Sequence, residues 1–524
     1  MSHPLPSRPL DHYAHWCAHW ARRQPLLAAL LLGLAATLAL PPLHLIPALL
    51  VAIPGLLWLL GRAPGWRQAA LLGLLFAWAH HLAGIYWVTS AVLKDVANFW
   101  WLVPFAAPAL ALPMAVFAVP AAVLAWWLPP GWRRVAGFAG AFVLGELLRG
   151  WAFTGFPWNL IGSVWAFAAW PIQAASVIGV HGLSLLTLLL AGLPLLGRRS
   201  WLAGTLAVLA LAGLGAWRLA GPDPAAPGVR LLLVQGNIAQ EMKWEPAQRA
   251  ANFHRYLDLT AEAAAREAAV HPDQKLAIIW PETASPFLLA QDPEASRLAA
   301  ATLPPNALLL AGTVRADWTS QGQLTQVWNS LVVLNPAAEV LAIYDKAHLV
   351  PFGEYSPLSG LLPVRLAPGG SGGVDFGAGP GPRRLAVPGL PAFGALICYE
   401  VIFPAMVTPS PRPEWLVNIT NDTWFGASTG PWQHLAAARL RAVEEGLPLA
   451  RAAQSGISAV FDARGRRLAL LRLEQAGTLS TALPGAGRAT VFGWGGLWLP
   501  LGLALSTLLV VLFGRRRNST HLQP

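Results

Sequence analysis

Long apolar segments dominate the first 220 residues of the chain, and one more lies near its other end. These segments span residues 25–40, 43–60, 68–91, 103–128, 132–150, 173–196, 200–219 and 494–513. A helix of about 20 predominantly apolar residues crosses the ~30 Å hydrocarbon core of a bilayer. The pattern therefore predicts eight transmembrane helices, of which seven form a domain over residues 25–220 and the eighth covers 494–513.

Basic residues mark every second junction between these apolar segments. The basic junctions are Arg22-Arg23, Arg62 with Arg67, Arg133-Arg134, Arg198-Arg199 and Arg515 to Arg517. Loops rich in Lys and Arg stay in the cytoplasm. The alternation therefore predicts that both terminal segments, 1–24 and 514–524, are cytoplasmic. The long segment between the seventh and eighth helices then lies on the opposite side of the membrane.

Composition agrees with a membrane protein. Of the 524 residues, 55% are hydrophobic and 12% are charged, whereas an average soluble protein has roughly 25% charged residues. The net charge of +11 does not indicate a nucleic-acid partner, because the basic residues lie in short clusters between apolar segments rather than on one face. A membrane, not a nucleic acid, is the expected partner.

Residues 228–485 follow a different pattern, in which charged residues return and apolar runs shorten to strand length. The predicted strands are 230–237, 276–280, 307–314, 326–334, 338–343, 394–398 and 415–419. Helices are predicted at 247–269 and 431–446, and a Pro- and Gly-rich loop at 363–385. Strands of near-continuous apolar character that alternate with helices predict an α/β domain in which helices cover a sheet.

Ionisable side chains follow three of the predicted strands. Glu282, Lys346 and Cys398 each come just after an apolar run, so all three are expected to meet at one edge of the sheet. A thiol becomes a nucleophile when its pKa is lowered and a base lies nearby. Glu282 could take the thiol proton, and Lys346 could stabilise a thiolate and then an oxyanion. The other cysteine, Cys17, precedes the first apolar segment, so no disulfide is expected.

Longer strings surround these residues. They are Val234-Gln-Gly-Asn-Ile238 with Lys243-Trp244, Trp280-Pro-Glu-Thr283, Tyr344-Asp-Lys-Ala-His-Leu-Val-Pro-Phe-Gly-Glu-Tyr355, Ile397-Cys-Tyr-Glu400, and Asn421-Asp-Thr-Trp-Phe-Gly426 with Gly430-Pro-Trp-Gln-His434. The triplet resembles the Glu-Lys-Cys set of the nitrilase superfamily, and the strings resemble the apolipoprotein N-acyltransferase family over essentially the whole chain. The resemblance implies a nitrilase-like αββα sandwich at 228–485, inserted between the seventh and eighth of eight transmembrane helices.

The same resemblance implies an acyltransferase of the cell inner membrane with a periplasmic catalytic domain. Such an enzyme takes an acyl chain from a phospholipid, typically phosphatidylethanolamine, and holds it as a cysteine thioester. The α-amine of a diacylglyceryl-cysteine at the N-terminus of an apolipoprotein then accepts the acyl chain, which is a step of lipoprotein maturation. No metal ion or other cofactor is expected, because the sequence contains no P-loop and no paired-His motif.

The resemblance also implies roles for particular residues. Glu282 would be the general base, Lys346 the oxyanion stabiliser and Cys398 the nucleophile. Further matching positions are Glu354, Glu400 and Tyr399, which would support the site, and Trp244 and Trp424, which would bind substrate.

Two other functions stay open from the residues alone. A membrane-tethered amidase of the nitrilase type would use the same triad and let water resolve the thioester. The number of apolar segments argues against it, because a tether needs only one span. A transporter with a large outer domain would need ionisable residues that face inward within the spans. Glu146 and Arg149 are the main candidates for that role.

Overall fold

The computed structural model describes residues 19–94, 96–239, 245–357 and 374–514. Within these residues, a helical part leads into an α/β part, and two apolar helices follow it. Some predicted features lie outside the described residues. These are Trp244, residues 363–373 of the loop at 363–385 and the two ends of the chain.

Each apolar segment predicted before residue 220 contains helix. The helices are α1 (Pro25–Thr37), α2 (Leu49–Leu60), α3 (Trp66–Gly84), α4 (Val88–Leu93), α5 (Val96–Phe99), α6 (Ala106–Val116), α7 (Val119–Trp127), α8 (Trp132–Arg149), α9 (Ala175–Ala191) and α10 (Arg198–Ala220). The predicted segment at 103–128 is divided between α6 and α7. Pro120 lies in the first turn of α7, where its missing N–H has no helical partner to lose.

Two of these helical stretches are long and apolar enough to cross a membrane, namely Pro171–Leu195 and Arg198–Ala220. Val96–Leu102 and Ala106–Val116 meet at an angle of 47° and add a third span if the bent pair counts as one. The other helices of the described residues are shorter or less apolar. The topology of eight transmembrane helices therefore stays a prediction.

The α/β part is built from short strands whose side chains are mostly buried. The described strands are β1 (Val229–Gln235), β2 (Lys275–Ile279), β3 (Ala307–Trp318), β4 (Leu324–Leu334), β5 (Val340–Asp345), β6 (Arg384–Leu385), β7 (Phe393–Ile397), β8 (Trp415–Thr420), β9 (Leu449–Ala453), β10 (Ser458–Phe461), β11 (Arg467–Leu471) and β12 (Gly477–Ala482). Every predicted strand is present, and the pattern missed β6 and the four strands after residue 446.

The strands form two six-stranded sheets, whereas the residue pattern alone predicts one sheet. The strand orders are β12-β1-β2-β3-β4-β5 and β11-β10-β9-β8-β7-β6. The runs β1-β2-β3 and β7-β8-β9 are parallel. Strands such as β7, in which all five side chains are buried, have apolar neighbours on both faces, which is why their sequence reads as a continuous apolar run.

Helices cover the outer faces of the two sheets. The helices α11 (Arg249–Val270) and α12 (Pro293–Ala300) pack on the first sheet, and α13 (Gly430–Glu445) packs on the second. Apolar side chains of both sheets, such as Leu231 and Phe393, fill the space between them. The layers are therefore the expected αββα sandwich. The helices α14 (Val491–Gly495) and α15 (Trp498–Phe513) end the described chain.

The helix α13 also joins the α/β part to the helical part. The backbone N–H of Val180 in α9 donates to Glu444 Oε1 at 2.7 Å. Arg439 Nη1 donates to the carbonyl oxygen of Ala166 at 2.9 Å. The helical part therefore lies against the layer next to β7, which is the strand that leads to Cys398.

Candidate active site

Three strand ends meet at one edge of the sandwich. Glu282 comes after β2, Lys346 directly follows β5, and Cys398 directly follows β7. Because β2 and β5 belong to one sheet and β7 to the other, the site lies between two sheets. The residue pattern correctly predicts that the three side chains share an edge, but it is wrong in assigning that edge to a single sheet.

The backbone is strained around this edge. Cys398 has a φ of +52°, in the left-handed region that residues other than glycine rarely adopt. Thr283, next to Glu282, has a φ of +46°, and Phe352, two residues before Glu354, has a φ of +62°. Such conformations cost about 1–3 kcal/mol each and cluster at functional sites. Strain therefore marks the same edge as the ionisable side chains.

Lys346 is buried between two carboxylates and is 1% exposed. Its Nζ atom lies 2.8 Å from Glu354 Oε1 and 3.6 Å from Glu282 Oε1. Burial alone would lower the pKa of Lys346, but the negative charges of Glu354 and Glu282 outweigh burial and raise that pKa above its ordinary value. The side chain is therefore a fixed cation at neutral pH.

An asparagine in the interior of β4 connects these groups. Asn329 Nδ2 donates to Glu282 Oε1 at 2.7 Å and to Glu354 Oε1 at 3.0 Å. The backbone carbonyl of Asn329 accepts the N–H of Lys346 at 2.8 Å. The second oxygen of Glu282 accepts the backbone N–H of Asn421 at 2.7 Å. Asn329 thus positions the ammonium group and both carboxylates at once.

The thiol of Cys398 is 8% exposed and interacts electrostatically with the same groups. Burial raises the pKa of Cys398, the charge of Glu282 raises it further, and Lys346 acts in the opposite direction. Of the two conditions for a nucleophilic thiol, a lowered pKa is therefore not met in this arrangement, and a nearby base is. The thiol is neutral at neutral pH, so it can react as a nucleophile only if a base takes its proton.

Glu400 connects the segment after β5 to the segment around Cys398. Its carboxylate accepts a hydrogen bond from the hydroxyl of Tyr344 at 2.8 Å. It also accepts the backbone N–H groups of Ala347 at 2.8 Å, His348 at 3.1 Å and Ile397 at 2.6 Å. Burial raises the pKa of Glu400, against the effect of these backbone donors. One buried carboxylate therefore holds two strand ends of different sheets in register.

Tyr399 lies between the site and the helical part. Its hydroxyl donates to the carbonyl oxygen of Gly155 at 2.5 Å, and its ring stacks on Phe156 with centroids 6.1 Å apart. Trp424 is half-buried in the short 3₁₀ turn Asp422–Phe425 after β8. Of the two tryptophans predicted to bind substrate, only Trp424 belongs to the described residues.

The structure brings most of the predicted site residues together. Glu282, Lys346 and Glu354 form one hydrogen-bonded cluster, and Cys398 lies within the electrostatic reach of Glu282 and Lys346. Sequence reasoning missed Asn329. In the sequence, Asn329 is a polar residue within the apolar run of β4. Polar residues are common in strands, so this feature alone does not single out Asn329.

Family models match both parts of the chain. Residues 231–490 match the model described as carbon-nitrogen hydrolase, and residues 32–193 match the model described as apolipoprotein N-acyltransferase N-terminal domain. The α/β part, with its two sheets and its Glu, Lys and Cys side chains, is therefore a nitrilase-like carbon-nitrogen hydrolase domain.

Curated relatives extend this assignment to the whole chain. An apolipoprotein N-acyltransferase from Rhodopseudomonas palustris is 36% identical over 513 residues, which cover 93% of this chain and 95% of the relative. One from Bradyrhizobium diazoefficiens is 38% identical over 523 residues, which cover 95% of this chain and 96% of the relative. The chain belongs to the apolipoprotein N-acyltransferase family.

Solved structures match about half of the chain. A mutant of the Nesterenkonia AN1 amidase from the nitrilase superfamily is 21% identical, with a TM-score of 0.35, and the match covers 50% of this chain and 94% of the amidase. Nit3 of Saccharomyces cerevisiae, a member of the nitrilase superfamily, is 18% identical, with a TM-score of 0.36, and the match covers 57% of this chain and 99% of Nit3.

Proposed function

We propose that this chain transfers an acyl chain from a membrane phospholipid to the N-terminal α-amine of diacylglyceryl-cysteine apolipoproteins, through a thioester on Cys398. Identity of 36–38% over nearly the whole chain with proteins named apolipoprotein N-acyltransferase carries this proposal. The cluster of Glu282, Lys346 and Cys398 supports it, because acyl transfer needs a base, a cation and a nucleophile in one site.

The first half-reaction forms the thioester. The acyl donor is proposed to be phosphatidylethanolamine. Glu282 takes the proton of the Cys398 thiol, and the sulfur attacks the ester carbonyl carbon of this phospholipid. Lys346 stabilises the negative charge that develops on the carbonyl oxygen. The C–O bond then breaks, and Glu282 returns its proton to the leaving alkoxide. The products are a lysophospholipid and an acylated Cys398.

The second half-reaction moves the acyl chain to the apolipoprotein. The neutral α-amine attacks the thioester carbonyl carbon, the C–S bond breaks, and an amide forms. Glu282 takes a proton from the amine nitrogen and passes it to the leaving thiolate. Glu354 and Glu400 hold Lys346 and the strand ends in place. As the resemblance implies, Tyr399 also supports the site, and Trp424 and Trp244 bind substrate with aromatic rings that suit the membrane interface.

Glu282→Gln is expected to slow acyl-enzyme formation by about 10²–10⁴-fold. The amide cannot take the thiol proton, and burial raises the pKa of Cys398, so the thiol stays protonated at neutral pH. Mass spectrometry of single turnovers with phospholipid measures the rate. Glu262→Gln, at a carboxylate whose side chain is 71% exposed, is the matched control. The rate of Glu282→Gln should recover in part at alkaline pH, and a deficit that does not change with pH would contradict the role of a base.

A second proposal concerns the membrane. The helical part at 25–220 and the helix at 494–513 would cross the inner membrane eight times, with 228–485 in the periplasm and the segments 1–24 and 514–524 in the cytoplasm. The family is membrane-associated, and two apolar helices of spanning length lie in the described residues. Both lipid-anchored substrates would then meet the site at the membrane surface.

The positions of the basic junctions support this topology, because three of the four junctions among the described residues lie at the same end of the helical part. Arg23 and Arg67 line one cavity, and Arg134 packs on Gly61. At the same end, Arg133 donates a hydrogen bond of 2.6 Å to the carbonyl oxygen of Gly514. Such clustering of basic residues is what a cytoplasmic face requires.

Labelling of single cysteines tests the topology. In a chain that carries Cys17→Ser and Cys398→Ser, Glu262→Cys places a thiol on the exposed face of α11, and Arg199→Cys places one at an exposed basic junction. A membrane-impermeant maleimide should label the first variant in intact spheroplasts and the second only after permeabilisation. The opposite result would invert the proposed topology.

A membrane-bound amidase is the second candidate, because residues 231–490 match a carbon-nitrogen hydrolase model.

The two ionisable residues that would favour a transporter, Glu146 and Arg149, have structural partners. Glu146 accepts the N–H of Ile161 at 2.8 Å, and Arg149 donates to the carbonyl oxygen of Trp158 at 2.7 Å. Both side chains therefore hold the segment after α8 in place.

Mass spectrometry separates the two enzymatic functions. The purified protein is mixed with phospholipid and should gain one acyl group on Cys398. A diacylated lipopeptide is then added. Loss of the adduct together with a triacylated peptide supports the acyltransferase, whereas loss of the adduct in water alone, at the same rate, supports the hydrolase. Absence of any adduct would refute both.

A further inference from the structure

A residue outside the proposed chemistry holds the backbone of the nucleophile. The carbonyl oxygen of Cys398 lies 3.1 Å from Nε2 of His434. His434 is on α13 and is completely buried. Because a carbonyl oxygen only accepts hydrogen bonds, Nε2 carries a proton and donates. Nε2 is protonated in this way whether the ring is a neutral imidazole or an imidazolium.

The hydrogen bond acts on one of the strained residues of the site. The φ of +52° at Cys398 persists only where the surrounding structure holds it. The peptide group that joins Cys398 to Tyr399 is planar. Fixing its carbonyl oxygen therefore fixes the direction of the Tyr399 N–H and the ψ torsion of Cys398, next to the strained φ.

A buried ion pair lies next to the other nitrogen of the imidazole, so that Nδ1 accepts from Arg451 when the ring is neutral and donates to Asp422 when it is an imidazolium. His434 Nδ1 lies 2.9 Å from Asp422 Oδ1 and 3.1 Å from Arg451 Nη2. Arg451 Nη2 also pairs with Asp422 Oδ2 at 2.6 Å. Burial alone would raise the pKa of Asp422, but Arg451, His434 and the side-chain hydrogen bonds to Asp422 together outweigh burial and lower that pKa. The ion pair is thus fixed, and rotation of the imidazole would break contacts at both of its nitrogen atoms.

The helical part holds the residue next to His434. The indole Nε1 atoms of Trp87 and Trp158 donate to Gln433 Oε1 at 3.0 and 2.8 Å. The ring of Trp158 also lies against the imidazole, with centroids 5.4 Å apart. Two side chains of the helical part therefore fix the start of α13, and α13 in turn fixes the carbonyl of Cys398.

We propose that His434 is a positioning residue for acyl transfer, which holds the strained backbone of Cys398 through its Nε2 donor. The helical part, acting through Gln433, keeps His434 in place. On this view the helical part does more than anchor the domain, since it sets the geometry of the nucleophile. The inference rests on the proposed acyl transfer and adds a residue that does not touch the reacting atoms.

Three variants at one position test the donor. H434Q keeps a donor at the distance of Nε2. H434N keeps an amide that stops short of the Cys398 carbonyl, and H434M matches glutamine in length without a donor. The measurements are the single-turnover rate of acylation of Cys398, its alkylation by iodoacetamide as a probe that needs no lipid, the KM for phospholipid and the thermal unfolding midpoint.

H434Q is expected to acylate within about threefold of the natural chain, and H434N and H434M roughly tenfold more slowly or worse, with an unchanged KM for phospholipid. Alkylation should follow the same order. Equal losses in all three variants, or a natural rate in H434N or H434M, would overturn the proposal. If one of H434N and H434M does not fold, the other decides. A natural chain that forms no adduct would instead refute the acyl transfer itself.

Discussion

Cys398→Ser is expected to lower acyl-enzyme formation by more than about 10³-fold while leaving the fold intact. A hydroxyl is a far weaker nucleophile than a thiol whose proton a base has taken. The side chain is 8% exposed, and oxygen in place of sulfur changes its volume little, so the stability change should stay below about 1.5 kcal/mol. Mass spectrometry after incubation with phospholipid measures the adduct, and thermal unfolding in detergent measures the stability.

Cys17→Ser is the matched control for this experiment, because it removes the other thiol of the chain and keeps Cys398. It should form the adduct at the natural rate. An adduct that survives in Cys398→Ser but is lost in Cys17→Ser would place the nucleophile elsewhere. A Cys398→Ser chain that still transfers acyl groups at the natural rate would make the thiol structural.

The parts of the fold that follow from local pattern could be predicted from the sequence. Strands such as β7 and β8 are buried on both faces, so their apolar runs are continuous and their ends are sharp. Glu282 and Cys398 stand just beyond such ends, and Lys346 follows the apolar but partly exposed β5. Their shared edge was therefore predictable. The number of sheets was not, because hydrogen bonding between distant strands leaves no local signal.

The supporting contacts of the site could not be predicted for the same reason. Asn329 lies in the interior of β4, where only the folded chain reveals that its amide contacts two carboxylates. His434 was part of a recognised string, but its contact with the Cys398 carbonyl joins residues 36 positions apart. Likewise, the raised pKa of the Cys398 thiol follows from burial, which a motif does not report.

Lys346→Met is expected to slow thioester formation by about 10²–10³-fold, because it removes a donor to the oxyanion. It should also lower the free energy of unfolding by about 3–5 kcal/mol, since it leaves Glu354 and Glu282 facing each other without their buried cation. The folded-state pKa of Lys346 is raised, so its stabilising contribution is complete below the unfolded pKa of about 10.4 and is lost only at higher pH. The contribution of the Lys346 cation to stability is therefore complete at neutral pH.

The double variant Lys346→Met/Glu354→Gln separates charge balance from catalysis. It removes the cation together with one carboxylate, so the site regains the net charge of the natural chain. Part of the lost stability should return, whereas the acylation rate should stay as low as in Lys346→Met, because no cation is left to stabilise the oxyanion. Recovery of the rate along with the stability would show that Lys346 serves only to neutralise Glu354. The oxyanion would then need another donor.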